Sequence, residues 1–356
     1  MTLTSPHRLA PLVGLLGTAT LLAACLGNVG GGGSERGTNR GGDDDDGRNC
    51  KELTSGVTIR SASDFDTLPK GCWDLFGKLT IQGRDITSLA KLGDLKGVNE
   101  LELIGTNLTA LDVPKALKVF GPVTVVGNTK LRSLDKLEVE RADNLTMEIT
   151  IDDNDVLADL GDMSLVARID GDLTLTANPQ LQTASLRGLR RIDGAIRVTD
   201  NAALTSFELM RLETVGRVEV VNNAKLASLW GMAATTIKGD LLVRGNRALT
   251  SLGAMSSLAT IEGNFIVDDN DALTSIGGFT TSMQYVLGMV TVTNNAALTE
   301  LGQIARLRGI GALTITDNAS LSFCRAREVA VCVTTQGSIT VQNNKVGNNC
   351  TSWCGR

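Results

Sequence analysis

The sequence predicts an all-β solenoid of about twelve rungs, and three features of a repeating unit predict it. A unit of about 23 residues recurs through most of the chain, as it does in stacked-repeat proteins. Apolar residues occupy the second and fourth positions after a glycine, as Leu173 and Leu175 do after Gly171, and a period of two is typical of a strand with one buried face. An Asn follows seven residues after the glycine, as Asn178 does. Because one such unit can bury its apolar face only against its neighbours, the units must stack.

The recurring asparagines are interpreted as a structural ladder. They are spaced 22 to 26 residues apart. An inward turn leaves backbone N–H and C=O groups that need partners, and an Asn side chain offers both a donor and an acceptor that could bridge adjacent rungs. The predicted ladder comprises Asn128, Asn154, Asn178, Asn201, Asn223, Asn246, Asn270, Asn295, Asn318 and Asn344.

The earliest rungs match the pattern less closely. Four pairs fit the strand spacing, and only the last two are followed by the Asn: Leu79/Ile81, Leu101/Leu103, Val123/Val125 and Ile149/Ile151. Counting these and the final pair Ile339/Val341 gives about twelve rungs, a stack about 55 Å long at the usual strand spacing.

A family resemblance rests on the repeat that runs from Asn246 to Ile261, with the sequence N-R-A-L-T-S-L-G-A-M-S-S-L-A-T-I. Over about residues 77–347 the pattern resembles the receptor L-domain family and related bacterial leucine-rich surface repeats. It departs from the ordinary leucine-rich repeat, which has N-x-L rather than N-x-x-L and often a helix in the return path. The resemblance implies a right-handed solenoid with an extracytoplasmic binding or structural role and no catalytic residues.

The first 24 residues read as a targeting segment. Arg8 precedes the apolar run Leu9–Leu22, which is too short to span a membrane. The ending Leu22-Ala-Ala-Cys25 resembles a lipobox, in which the cysteine is acylated and becomes the first residue of the mature chain. Two or more acyl chains would hold the chain on a membrane. The resemblance to lipoproteins implies the outer membrane, because Leu26 rather than Asp follows the cysteine. We therefore expect a bacterial lipoprotein signal peptide over residues 1–24 and lipid attachment at Cys25.

Residues 25–49 read as a flexible tether, and residues 50–356 as a single solenoid domain with caps at about 50–76 and 322–356. The tether is rich in Gly and contains Asp43–Asp46. Those carboxylates could bind calcium, but a solvated, self-repelling stretch is the preferred interpretation.

Six cysteines lie at the two ends of the predicted solenoid and none lies between them. In an exported chain an even number of cysteines predicts disulfides, here stapling the caps, with Cys50–Cys72 at the first. The four C-terminal cysteines allow three pairings, and a zinc site is the rival interpretation. The six are Cys50, Cys72, Cys324, Cys332, Cys350 and Cys354.

The composition argues against catalysis and against nucleic-acid binding. The only histidine, His7, lies in the segment to be removed, which excludes Ser-His-Asp and Cys-His catalysis and His-ligated catalytic metals. A calcium-dependent polysaccharide lyase could use Asp152–Asp155 and Asp268–Asp271, but these lie five rungs, about 24 Å, apart. We expect no enzyme activity and no cofactor. The net charge of −5 and pI near 5.1 disfavour nucleic acid.

The outward strand positions include a candidate binding patch. The third position after the glycine is mostly Thr, a natural residue of a solvated strand face, but four middle rungs carry other residues there. A mixed apolar and charged patch suits a protein ligand, although a solvated face without a role is the alternative interpretation. No aromatic lies on this face, so a glycan ranks below a protein. The patch comprises Arg197, Glu219, Leu242, Arg244, Ile266 and Asp268.

These patterns together predict a monomeric lipoprotein of the cell envelope, held to the outer membrane by its lipid anchor and facing either side. Its solenoid domain would bind a macromolecular partner. A purely structural envelope protein is the alternative, and the calcium-dependent lyase ranks third.

Overall fold

Each rung forms short strands because its apolar residues alternate with polar ones. The computed structural model describes residues 50–346 and residue 350, except for residues 162, 210, 230–232, 254 and 278–282. The predicted signal peptide, Cys25 and the tether lie outside the described residues.

The described residues form 21 strands, all but two of them in one parallel sheet. In chain order they are β1 (Lys51–Leu53), β2 (Val57–Ile59), β3 (Cys72–Gln82), β4 (Asp94–Ile104), β5 (Leu117–Val119), β6 (Val123–Val126), β7 (Leu137–Val139), β8 (Ile149–Asp152), β9 (Arg168–Ile169), β10 (Leu173–Thr176), β11 (Thr183–Ser185), β12 (Arg191–Thr199), β13 (Ser206–Glu208), β14 (Thr214–Val221), β15 (Thr236–Ile237), β16 (Leu241–Arg244), β17 (Thr260–Ile261), β18 (Phe265–Asp268), β19 (Tyr285–Thr293), β20 (Gly309–Thr316) and β21 (Ile339–Gln342).

The strands stack as a β-solenoid of about 12 turns, which confirms the predicted fold class. Equivalent residues of successive rungs pair in register: Leu173 of β10 pairs with Ile196 of β12, and Ile196 with Val218 of β14. The stack begins one rung earlier than the sequence pattern indicated, because β1 and β2 both pair with β3. In β2, Val57 and Ile59 stand one and three residues after Gly56 rather than two and four, so the repeat pattern did not include it.

Most rungs have a glycine at the corner between their two strand segments, where the backbones of successive rungs approach closely. A Cβ on Gly216 would lie 2.4 Å from the carbonyl oxygen of Gly194 in the preceding rung. A Cβ on Gly311 would lie 2.7 Å from the carbonyl oxygen of Gly288. A side chain at these corners would force the rungs apart.

The residue just before each ladder Asn adopts a left-handed backbone. The non-glycine members have φ between 52° and 61°, a region that Asn and Asp tolerate better than other L-residues do. Ala177, with φ of 52°, is the exception among Asp and Asn residues. The remaining non-glycine members are Asp153, Asp200, Asn222, Asp269, Asn294, Asp317 and Asn343.

The core is a single apolar column running through the rungs. Leu173, Leu175, Ile196 and Val198, at the second and fourth positions, are fully buried. Outside the main sheet, successive rungs are also joined by the short parallel pair β11 and β13 and by single bridges such as Ser251–Ser275.

Both ends of the solenoid are stapled by a disulfide. Cys50–Cys72 closes the first end, as predicted, and Cys324–Cys350 closes the last. Cys324 lies in helix α1 (Phe323–Cys332). Cys332 is also disulfide-bonded, whereas Cys354 lies outside the described residues.

Candidate functional site

The ladder asparagines are buried and join three successive rungs. At Asn246 the side-chain Oδ1 accepts from the Asn223 backbone N–H at 3.0 Å, and Nδ2 donates to the Val220 carbonyl oxygen at 2.9 Å. The Asn246 backbone N–H donates to Oδ1 of Asn270 at 3.1 Å. The same pattern recurs along the ladder. Nine members from Asn128 to Asn318 are fully buried, so this row is closed to a ligand.

Thr106 begins the row in place of an Asn. It is buried, and both its backbone N–H and its Oγ1 donate to Oδ1 of Asn128, at 3.0 and 2.7 Å. Thr106 was not predicted as a member of the row, because the row was defined by Asn residues alone. Its spacing of 22 residues from Asn128 was the available clue.

The candidate patch lies on the outer face of the sheet, which is half-exposed. Arg197, Glu219, Leu242 and Ile266 alternate with buried neighbours and project to the solvated side. The register places Glu219 beside Leu242 and Leu242 beside Ile266. Arg244 and Asp268 form the adjoining pair in register. The structure thus brings the six sequence-predicted residues together on consecutive rungs.

The charges of the patch are largely paired within the chain. Arg197 contacts Asp172 and lies 3.4 Å from a Glu219 oxygen. Arg217 lies 2.8 Å from Glu219 and 3.3 Å from Asp240. These five side chains form a chain of ion pairs of alternating sign that crosses four rungs. Since exposed ion pairs contribute little to stability individually, the main effect of these ion pairs is to neutralise charge on this part of the face.

Asp268 belongs to a second cluster of hydrogen bonds. Although its burial opposes ionisation, hydrogen bonds from the Thr293 hydroxyl at 2.6 Å and the Asn294 amide at 2.9 Å, together with Arg244 at 2.9 Å, lower the pKa of Asp268. Its carboxylate is therefore held ionised and occupied by the chain's own donors.

Leu242 and Ile266 are the apolar part of the patch and take no part in the ion pairs and hydrogen bonds of its charged residues. Both are half-buried on the outer face, in the column of strand positions where most rungs carry Thr. An apolar side chain at such a position gains no core contact and leaves apolar surface in water. The apolar pair, rather than the charges around it, distinguishes this region from the rest of the face.

Three further apolar side chains on β19 are exposed and were missed in the sequence. Tyr285 is 39% exposed, Leu287 60% and Met289 40%. They precede and follow the corner Gly288, a part of the rung outside the positions compared in the sequence. The sequence predicted that no aromatic lies on the outer face. This holds for the described residues of the strand columns that carry the patch, but Tyr285 lies on the adjoining segment of the same sheet. The apolar run Tyr285–Met289 was the available clue.

The two acidic stretches considered as calcium ligands do not form a cluster. Among the residues that the structure describes, no group of three or more His, Cys, Asp or Glu side chains is placed to hold a metal ion. Burial, with Asp153 beside it, raises the pKa of Asp152.

No family model matches the chain. No curated protein and no solved structure matches it either. Among the described residues, no helix is both long and apolar enough to cross a membrane.

Proposed function

We propose that the chain is a lipid-anchored envelope protein whose solenoid binds a macromolecular partner, a protein in preference to a glycan, through the outer face of its sheet. Leu22-Ala-Ala-Cys25 supports the anchor. The replacement of Thr by Leu242 and Ile266 on adjacent, half-exposed strands carries the binding proposal.

The rigidity of the solenoid suits this role. Parallel pairing on both sides of each rung and the buried Asn ladder fix the outer face in one shape. A preformed surface loses little conformational entropy when it binds. The paired charges around Leu242 and Ile266 would lie at the rim of the interface, where they favour specificity more than affinity.

A purely structural role in the envelope is the second candidate. The regular Thr positions at both ends of the face favour it, since Thr fills a solvated strand without needing a ligand. The two proposals differ in whether mutation of the apolar pair changes anything other than stability. A calcium-dependent polysaccharide lyase ranks third, because its acidic stretches lie on separate rungs.

The test is crosslinking in cells with a photoreactive residue at position 266, and at position 150 as the matched control. Both positions face outward in the same column of the sheet, and Thr150 lies five rungs away between Thr124 and Thr174. We expect a defined protein adduct at position 266 and none at position 150. Equal adducts at both positions, or none at either, would reject the patch as a binding site.

A further inference from the structure

One rung of the solenoid presents apolar side chains at three outward positions that the two preceding rungs fill with polar or charged ones. We call Tyr285, Leu287 and Met289 the ridge. Tyr285 pairs in register with Thr260, and Thr260 with Thr236. Met289 stands one residue after the corner glycine, as do Asp240 and Asn264 in the two preceding rungs.

Leu287 departs furthest from the other rungs. It occupies the position just before the corner glycine, and at 60% exposure it projects into water. In four other rungs that position carries a charge, at Asp170, Asp193, Lys238 and Glu262. An isolated exposed leucine needs no explanation, but three coincident replacements in one rung form a contiguous apolar surface.

The next rung has only glycine and alanine beside Tyr285 and Met289 of the ridge. Tyr285 pairs with Gly309 and Met289 with Ala312, and the register shifts between Val286 and Met289, so no side chain stands opposite Leu287. A Cβ on Gly309 would lie 3.5 Å from Cδ1 of Tyr285. The ridge therefore borders a step formed by Gly309, Gly311 and Ala312, which are half-buried and carry no long side chain.

The ridge continues into the apolar pair of the proposed binding face. Ile266 pairs with Thr291, and Met289 lies two residues before Thr291 on the same outward side. Strand geometry places Ile266 and Met289 about 8 Å apart. The apolar strip thus runs diagonally from Leu242 through Ile266 to the ridge.

Charge at the Tyr285 end favours an acidic residue in the ligand. The Arg308 backbone N–H donates to Gln284 at 2.8 Å, which fixes Arg308 beside Tyr285 and Gly309. Its side chain is exposed and has no carboxylate partner among the described residues. By contrast Arg197, Arg217 and Arg244 are all ion-paired. Glu262 precedes the corner beside Leu287, so an acid there would be repelled.

The size of the ridge argues against a second copy of the chain. Its three side chains expose on the order of 300 Å² of largely apolar surface. A stable dimer buries about 800 Å² on each partner. A short extended segment needs no more than the ridge and the step provide.

We infer that the ridge and its step bind an extended apolar segment of a partner protein, with a carboxylate of that segment opposite Arg308. The inference rests on the proposed function, and it adds the site and the chemistry of the ligand. Alternate apolar side chains of the segment would pack against the ridge, and its backbone would lie over Gly309 and Gly311.

The probe is a displayed library of random dodecapeptides, selected on the full chain. Leu287→Lys is the matched variant, because Lys238 occupies the equivalent position in an intact rung. Gly309→Thr fills the step with the residue found at Thr260 and Thr236. Met289→Asn introduces the residue that Asn264 supplies one rung earlier, and it is the second ridge variant should Leu287→Lys fail to fold. Circular dichroism and the unfolding midpoint verify each fold.

We expect enriched peptides with alternating apolar residues and an Asp or Glu at one end. The synthesised peptide should bind the wild-type chain and lose at least tenfold in affinity on Leu287→Lys or Gly309→Thr. Arg308→Glu should weaken binding and reduce its dependence on salt. Tyr285 is the only tyrosine of the chain, so its single ring signal should shift on binding.

Failure to enrich any peptide, or peptides that bind Leu287→Lys as well as wild type, would overturn the inference. So would a dimer that Leu287→Lys dissociates, or binding to phosphatidylglycerol vesicles that Leu287→Lys abolishes. One outcome would refute the ridge site and leave the proposed function standing. In it, the protein captured through position 266 binds Leu287→Lys as tightly as wild type but binds Leu242→Thr/Ile266→Thr more weakly.

Discussion

Asn246→Ala should destabilise the solenoid at its middle. The truncation removes the Oδ1 that accepts from the Asn223 backbone N–H and the Nδ2 that donates to the Val220 carbonyl. Asn246 is fully buried, so bulk water does not reach the groups left behind. The Asn246 backbone keeps its own bond to Asn270.

The cost follows from the number of groups that lose a partner. A buried donor or acceptor without a partner costs about 1–3 kcal/mol, and the substitution leaves two, so the free energy of unfolding should fall by about 2–6 kcal/mol. The whole stability of a domain is typically about 5–15 kcal/mol. The loss should therefore be large enough to lower the urea midpoint clearly.

Asn344→Ala is the matched control, because Asn344 is the last of the ladder and only half-buried. It makes the same contacts, to the Asn318 backbone N–H at 3.3 Å and the Ile315 carbonyl at 2.8 Å. Water can replace them, so the cost should be about 1 kcal/mol or less. Urea unfolding followed by circular dichroism measures both variants. Equal midpoints for wild type and Asn246→Ala would refute the role given to the ladder.

Four further predictions concern other parts of the chain. Ala177→Asn should stabilise it by about 1 kcal/mol, because Asn tolerates the left-handed backbone at φ of 52° better than Ala does; Ala224→Asn, one residue after a ladder Asn, is the control, and equal melting shifts in the two would contradict the argument. Cys25→Ser should abolish incorporation of labelled fatty acid, and a labelled variant would reject the anchor. Cys324→Ser/Cys350→Ser should cost about 3 kcal/mol, since the disulfide closes a separation of 26 residues; an unchanged chemical midpoint would argue against the staple. Acid should destabilise the fold: although burial opposes ionisation of Asp170 and Asp172, hydrogen bonds from the backbone and from Arg141 and Arg197 lower the pKa of each carboxyl. The stabilisation from these two carboxylates is therefore complete above the unfolded pKa of about 3.9 and is lost as pH falls through the lower folded values. Thermal melts at pH 7 and pH 3 measure this loss, and Asp170→Asn should reduce the difference between the two melting temperatures.

The fold was predictable because the repeat carries it in every rung. The alternation of apolar and polar residues seen at Leu173 and Leu175 recurs in each rung. An error in assigning one rung therefore did not change the predicted fold. The first rung, formed by β1 and β2, could not be predicted because Val57 and Ile59 stand one and three residues after Gly56 rather than two and four. The choice of Cys324–Cys350 was also beyond the sequence, since pairing depends on how helix α1 is placed in space.

The candidate site was predictable only in part. Period-two alternation was sufficient to place Leu242 and Ile266 on the outer face. It could not reveal that Arg197 and Arg217 are paired with carboxylates of neighbouring rungs, because such pairs join residues more than 20 positions apart. It also could not reveal the exposure of Leu287, which depends on the shift of register beside Gly311.

The central claim is that the outer face of the solenoid binds a partner through its apolar residues. The most direct measurement is the affinity of the protein captured at position 266 for the wild-type chain and for Leu242→Thr/Ile266→Thr, in which both residues become the Thr of the surrounding face. Truncating a hot-spot residue costs about 2 kcal/mol or more, so affinity should fall at least tenfold, while the free energy of unfolding stays within about 0.5 kcal/mol of wild type. Unchanged affinity in a folded variant would contradict the account.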